Sequence, residues 1–201
     1  MFLVKIFEEM TNIAWLILAT TALSYLFISF GVIKNKGEGQ SFFSWFLWMI
    51  LDVILFIPTF GKDGKSILML IPSILGSIFI SSFLAKSGKI RWGKTEWLSF
   101  VLIILTLLVW WQSSNKDVVI TFGVISQVVA GWPLTKESWK NPRPKWTLGG
   151  YLFFILACIF LLTLENNVFK NFVLEDHLFP IALGLQTIVD TIPLVLKKIK
   201  E

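Results

Sequence analysis

The chain has 201 residues, 55% of them hydrophobic, with a mean hydropathy of +0.74. A soluble domain of this length could not bury that much apolar surface, and no polar stretch exceeds about a dozen residues, which excludes a large extramembrane domain. The net charge of +5 would suit a nucleic-acid partner, but the basic residues fall between apolar blocks of bilayer-crossing length. The charge therefore reads as a membrane topology signal, and nucleic acid is excluded.

Seven blocks follow in order, at 11–33, 41–60, 66–85, 97–112, 117–135, 147–164 and 177–196. About 20 apolar residues cross a bilayer as helix, so the pattern predicts an all-α integral membrane protein of seven spans. The first block follows Glu8 and Glu9 and is too long for a signal-peptide core, so it reads as a retained span. The second holds Asp52 inside "SWFLWMILDVILF". Eleven residues past Ser41, Asp52 lies about 17 Å up the helix, near mid-bilayer. Ser41, Trp45, Trp48 and Asp52 are spaced 4, 3 and 4, which puts them on one face.

An ionisable group at that depth is costly and should face the protein interior or a wet cavity. Asp52 could take up and release a proton during transport. It could instead pair with a cationic group on a solute, helped by the two indoles, or clip its helix to a neighbour. The third block carries Pro72 and a run of Ser73, Ser77 and Ser81 beside Gly76, which reads first as a packing seam. The fourth is short and bracketed by Trp97 and Trp110–Trp111, as interfacial anchors would be.

The fifth block has Gly123, Gln127 and Gly131 on one face, followed by Pro133 in "GWPLTKESW", where its end is least defined. The sixth holds Cys158, the single cysteine, expected to be a small packing residue. The seventh carries Pro180, Gln186 and Asp190. Gln186 falls near mid-depth and offers both a donor and an acceptor. Asp190 is expected either to pair with Lys197 or Lys198 or to act in gating. His177, the only histidine, is expected in water at the outer end of this span. Pro72 and Pro180 each remove one helix hydrogen bond and can kink their spans.

With seven spans the termini lie on opposite sides. One side, with the loops after spans 1, 3 and 5 and the C-terminus, holds thirteen of the 18 basic residues. The positive-inside rule makes that side cytoplasmic and the N-terminus external. A plasma-membrane protein of prokaryotic type is expected.

Two landmarks recur. "KNKGEGQS" at 34–41 and "KNPRPKWT" at 140–147 are offset by 106, and "PSILG" at 72–76 and "PIALG" at 180–184 by 108. Spans 1–3 (residues 1–85) and spans 5–7 (residues 117–201) thus read as parallel copies joined by a linker helix within 86–116. Parallel repeats related by an axis along the membrane normal recur in transporters, with the solute at the repeat interface.

This 3+1+3 arrangement, with short basic loops after spans 1 and 5, resembles the SWEET and PQ-loop superfamily of small membrane carriers, which also includes the KDEL receptor. The resemblance is architectural, and the chain has no Pro-Gln dipeptide. It implies a small-solute carrier working by alternating access, with Trp48, Asp52, Gln127 and Gln186 lining the central site. Asp52 and Asp190 would then serve coupling or gating, with Pro72, Pro133 and Pro180 as flexing points. The alternative is a ligand-binding receptor of the same fold. No nucleophile–base pair is visible, so an enzyme is not expected. Neither a metal site nor a cofactor is expected: the "GKDGKS" loop at 61–66 lacks the first glycine of a phosphate loop, and one histidine alone does not hold a metal. The expected partners are a small solute and the lipid bilayer, and self-association into a homo-oligomer is compatible with the sequence.

Overall fold

A computed structural model describes residues 12–59, 67–90, 93–113, 115–143, 145–164 and 174–200. These residues form seven helices: α1 (Asn12–Lys34), α2 (Phe42–Thr59), α3 (Ile67–Lys86), α4 (Lys94–Gln112), α5 (Lys116–Lys140), α6 (Lys145–Leu164) and α7 (Leu174–Lys200). Among the described residues there is no strand.

Five helices, α1, α3, α5, α6 and α7, are long and apolar enough to cross a membrane. In α2 the described apolar stretch is Phe42–Phe56, about 22 Å of helix against a hydrocarbon core of about 30 Å. The first turn of α4 contains Lys94 and Glu96, which shortens its apolar part.

The helix ends follow local chemistry. α1 and α3 both close with paired C-terminal hydrogen bonds, Gly37 N to Val32 O (2.8 Å) with Lys36 N to Ile33 O (3.1 Å), and Lys89 N to Leu84 O (3.0 Å) with Gly88 N to Ala85 O (3.1 Å). This is the Schellman arrangement, and its left-handed residue is Lys36 (φ 52°) in one case and Gly88 (φ 67°) in the other. Asn115 caps α5, its side chain accepting from Asp117 N at 2.9 Å.

Two helices extend beyond the sequence expectation. α5 runs to Lys140 rather than stopping near 135, because the polar segment after Pro133 is made of residues that a helix accepts. α7 begins at Leu174 and ends at Lys200, beyond the expected 177–196. The N-terminal segment and the 61–66 loop lie outside the described residues.

The packing has a simple order. α3 lies between α1 and α2, α7 lies between α5 and α6, and the two groups meet through α1 against α6 and α2 against α5. Exchanging α1, α2, α3 for α5, α6, α7 leaves this set of neighbours unchanged. α4 packs on α5 and α2, so it covers only one of the two seams. There Thr106 and Ser126 hydroxyls lie 2.5 Å apart. The other seam is covered by aromatic rings: Phe27 and Phe30 of α1 sit 5.7 and 4.8 Å from the Trp146 ring of α6. Close approach there is permitted by Gly31, where a Cβ would meet Thr147 Oγ1 at 2.6 Å.

Candidate functional site

A cavity of about 40 Å³ lies where the two helix groups meet, and every helix except α4 contributes to its wall. Tyr25 and Ile28 come from α1, and Ser73 from α3. α2 supplies Trp45, Trp48 and Asp52 from the face read in the sequence; Ser41 lies instead on a separate polar vestibule. α5 gives Gln127, α6 gives Tyr151 and Phe154, and α7 gives Leu183, Gln186, Thr187 and Asp190. The structure therefore brings Trp48, Asp52, Gln127, Gln186 and Asp190 to one site.

The aromatic walls interlock. Tyr25 stands edge-on to Trp45 (6.0 Å between centroids, 73°) and to Phe154 (6.2 Å, 80°), and Trp45 is edge-on to Trp48 (5.1 Å, 85°). The Tyr25 ring lies over Gly76, where a Cβ would run into it.

Both carboxyl groups are buried, Asp52 at 3% and Asp190 at 2% exposure, and α5 holds both. Gln127 Nε2 donates to Asp52 Oδ1. Thr135 Oγ1 donates to Asp190 Oδ1 at 2.5 Å. Gln127 and Thr135 stand eight residues apart, about 12 Å along α5. Lys197, expected as a partner for Asp190, donates to the Pro142 carbonyl at 3.0 Å.

Between these two latches α5 contains Pro133 and continues as one helix. Pro133 has no N–H, so Val129 O loses the donor that a regular helix would give it. Ser99 Oγ of α4 lies 3.1 Å from that carbonyl and 3.0 Å from Thr95 O of its own helix, and shares its one proton between them. One residue on, Leu134 N donates to Ser44 Oγ of α2 at 3.0 Å. The two preceding carbonyls also receive side chains: Gln127 O from Trp48 Nε1 (2.8 Å) and Val128 O from Gln186 Nε2 (3.3 Å). Gln186 comes this close because position 131 is glycine; a Cβ there would overlap its amide.

The polar vestibule lies on the lysine-rich face, with a volume of about 310 Å³ and walls that include Glu38, Gln40, Pro133, Glu137 and Arg143. It is separated from the cavity by the bond from Trp45 Nε1 to Gln40 Oε1, 2.9 Å. An ion pair between Arg143 and Glu38 ties the α5–α6 loop to the α1–α2 loop. Gly39 (φ 73°) lets the chain pass close to the Asn141 carbonyl.

The three prolines sit apart. Pro133 borders the vestibule. Pro72 lines an apolar groove of about 690 Å³ between α1 and α3, on the far side of Tyr25 from the cavity. Pro180 is buried in α7. His177 is buried at 3% exposure rather than in water. Of the serine run, Ser73 reaches the cavity, while Ser81 bonds back to Ser77 O at 2.6 Å, as a packing residue does. Cys158 is buried against Gly184, where an added Cβ would lie 3.5 Å from the cysteine Cβ.

Tyr151, Phe154 and Thr135 do not stand out in the sequence by themselves. Two of them were findable: the 106-residue offset carries Trp45 to Tyr151 and Trp48 to Phe154. Thr135 gave no signal, because a threonine in an apolar helix ordinarily bonds its own backbone. Among the described residues, no three of His, Cys, Asp or Glu gather where a metal could be held.

Comparison with family models, with curated proteins and with solved structures gives no match.

Proposed function

We propose that this protein is a transmembrane carrier of a small polar or cationic solute, working by alternating access between α1–α3 and α5–α7. The observation that supports this most is the cavity between the two helix groups. It contains buried carboxyl and amide groups and is lined by both groups. The neighbour pattern, unchanged when the groups are exchanged, supports reading them as parallel copies of the SWEET and PQ-loop type, with all seven helices spanning the membrane and α4 as the linker. In this reading the lysine-rich face is cytoplasmic, and the structure is closed there by the Glu38–Arg143 and Gln40–Trp45 contacts. Asp52 would serve as the coupling or charge-pairing group.

Rocking one group against the other must alter the α2–α5 and α1–α6 contacts. The segment of α5 around Pro133 is the place where such a change costs least, because Val129 O has no donor from its own helix there and the neighbouring backbone groups are already bonded to side chains of α2 and α7. The decisive test is counterflow in liposomes. Vesicles loaded with an unlabelled candidate solute should accumulate the labelled solute transiently, and protein-free vesicles should not. Saturable binding by purified protein with no counterflow of the same solute would sink the carrier reading in favour of a receptor.

A further inference from the structure

We infer that the central cavity is built for a protonated amine: a cation that carries N–H donors, set against aromatic walls. This inference rests on the carrier reading for its biological use but not for its chemistry. The argument starts with the two amides. Gln127 Nε2 faces Asp52 Oδ1, and Gln186 Nε2 faces the Val128 carbonyl. Turning Gln186 over would set its oxygen against the Val128 carbonyl, and turning Gln127 over would do the same against the ionised Asp52 carboxylate, so the ionised site fixes both orientations. Each amide therefore keeps its oxygen for something else. Gln127 Oε1 and Gln186 Oε1 are both buried without a hydrogen-bond partner.

A buried acceptor left unpaired is destabilising, because it has lost its water and gained no donor. Two at one cavity call for an occupant that donates. The charge balance points the same way. The wall carries Asp52 and Asp190, and among the described residues no lysine, arginine or histidine lines it. A donor without charge would answer the amides but would give no counter-charge to either carboxyl group when it is ionised. The Tyr151 hydroxyl, also buried without a partner at this wall, can donate or accept, but an anion would still meet both carboxyl groups.

Tyr25, Trp45 and Trp48 line the same space, and aromatic walls favour cations and the alkyl groups attached to them. The volume of about 40 Å³ exceeds the roughly 10–15 Å³ that one water needs but is small for a whole metabolite. In this closed arrangement it suits an ammonium head group, with the rest of the solute admitted only when the helix groups part.

The experiment is thermal unfolding of the purified, detergent-solubilised full-length chain with matched small probes at constant ionic strength. Ethanolamine and methylammonium should raise Tm by several degrees at saturation, since a ligand that binds only the folded form stabilises by mass action. Ethylene glycol, the uncharged counterpart of ethanolamine, should not. Choline, which keeps the charge but has no N–H, should bind at least tenfold more weakly than ethanolamine. Gln186→Leu, at a half-buried position chosen because it should fold, should lower ethanolamine affinity about tenfold or more, as losing a hydrogen bond to a charged group does.

Equal stabilisation by ethylene glycol, equal binding of choline, or unchanged affinity in Gln186→Leu would each overturn the assignment. So would the absence of any shift, which would leave water as the occupant. These results separate from the carrier reading. An amine that binds but shows no counterflow defeats the carrier and keeps the site. A neutral solute that shows counterflow while no amine binds does the reverse.

Discussion

Asp52 was legible because a carboxyl group in the middle of an apolar run is costly and therefore conspicuous. Gln127 and Gln186 stood out for the same reason, and all three line one cavity. Tyr25 and Thr135 did not stand out, since an aromatic or a hydroxyl residue in such helices has an ordinary explanation. Their roles come from what they face: Thr135 meets Asp190, and the Tyr25 ring meets Gly76. The Asp52–Gln127 bond also separates structure from function. Asp52→Asn keeps an oxygen for Gln127 Nε2 to bond, so it should fold with a Tm near that of wild type while losing solute binding and uptake. Asp52→Leu removes that acceptor, strands the amide nitrogen and should cost about 1–3 kcal/mol in addition. Parallel melting curves and uptake measurements on the two variants check this. Equal loss of stability in both would make Asp52 a structural clip.

At the scale of elements, α5 carries most of the polar traffic. Pro133 and the flanking glycines were visible in the sequence, but the side chains that answer the proline were not, because Ser44, which accepts from Leu134 N, and Ser99, which donates to Val129 O, lie on other helices. Pairing across helices is a tertiary fact that spacing within one helix cannot carry. The energetics can be tested by a double-mutant cycle. Ser99→Ala alone removes the donor to Val129 O and should cost about 1 kcal/mol. In a Pro133→Ala background the helix regains its own N–H at that position, so the same serine change should cost close to nothing. Thermal or denaturant unfolding of the four proteins would show a coupling of about 1 kcal/mol. Simple additivity would mean that Ser99 does not serve the proline.

At the scale of the molecule, seven apolar blocks made seven helices legible, and two short landmarks at offsets of 106 and 108 suggested the repeat; the observed neighbours keep their pattern when the two helix groups are exchanged. The difference between the seams was not legible. α4 covers the α2–α5 seam, and a ring cluster covers the α1–α6 seam. The lysine-rich face is held by side chains from two loops that correspond under the offset, which makes the closure testable. With Cys158 replaced by serine, Glu38→Cys and Arg143→Cys joined by a short bis-thiosulfonate should stop counterflow, and reduction should restore it. Undiminished counterflow in the bridged protein would show that this face does not need to open.

Tyr25 belongs to two spaces at once, with the polar cavity on one side and the apolar α1–α3 groove on the other. The partition between them is a single aromatic ring. In the membrane placement proposed above, hydrocarbon tails in that groove would come within one side chain of the buried carboxyl groups without passing through water. A lipophilic amine would meet this wall from within the bilayer, and its potency as a blocker would follow its concentration in lipid rather than in the bathing solution.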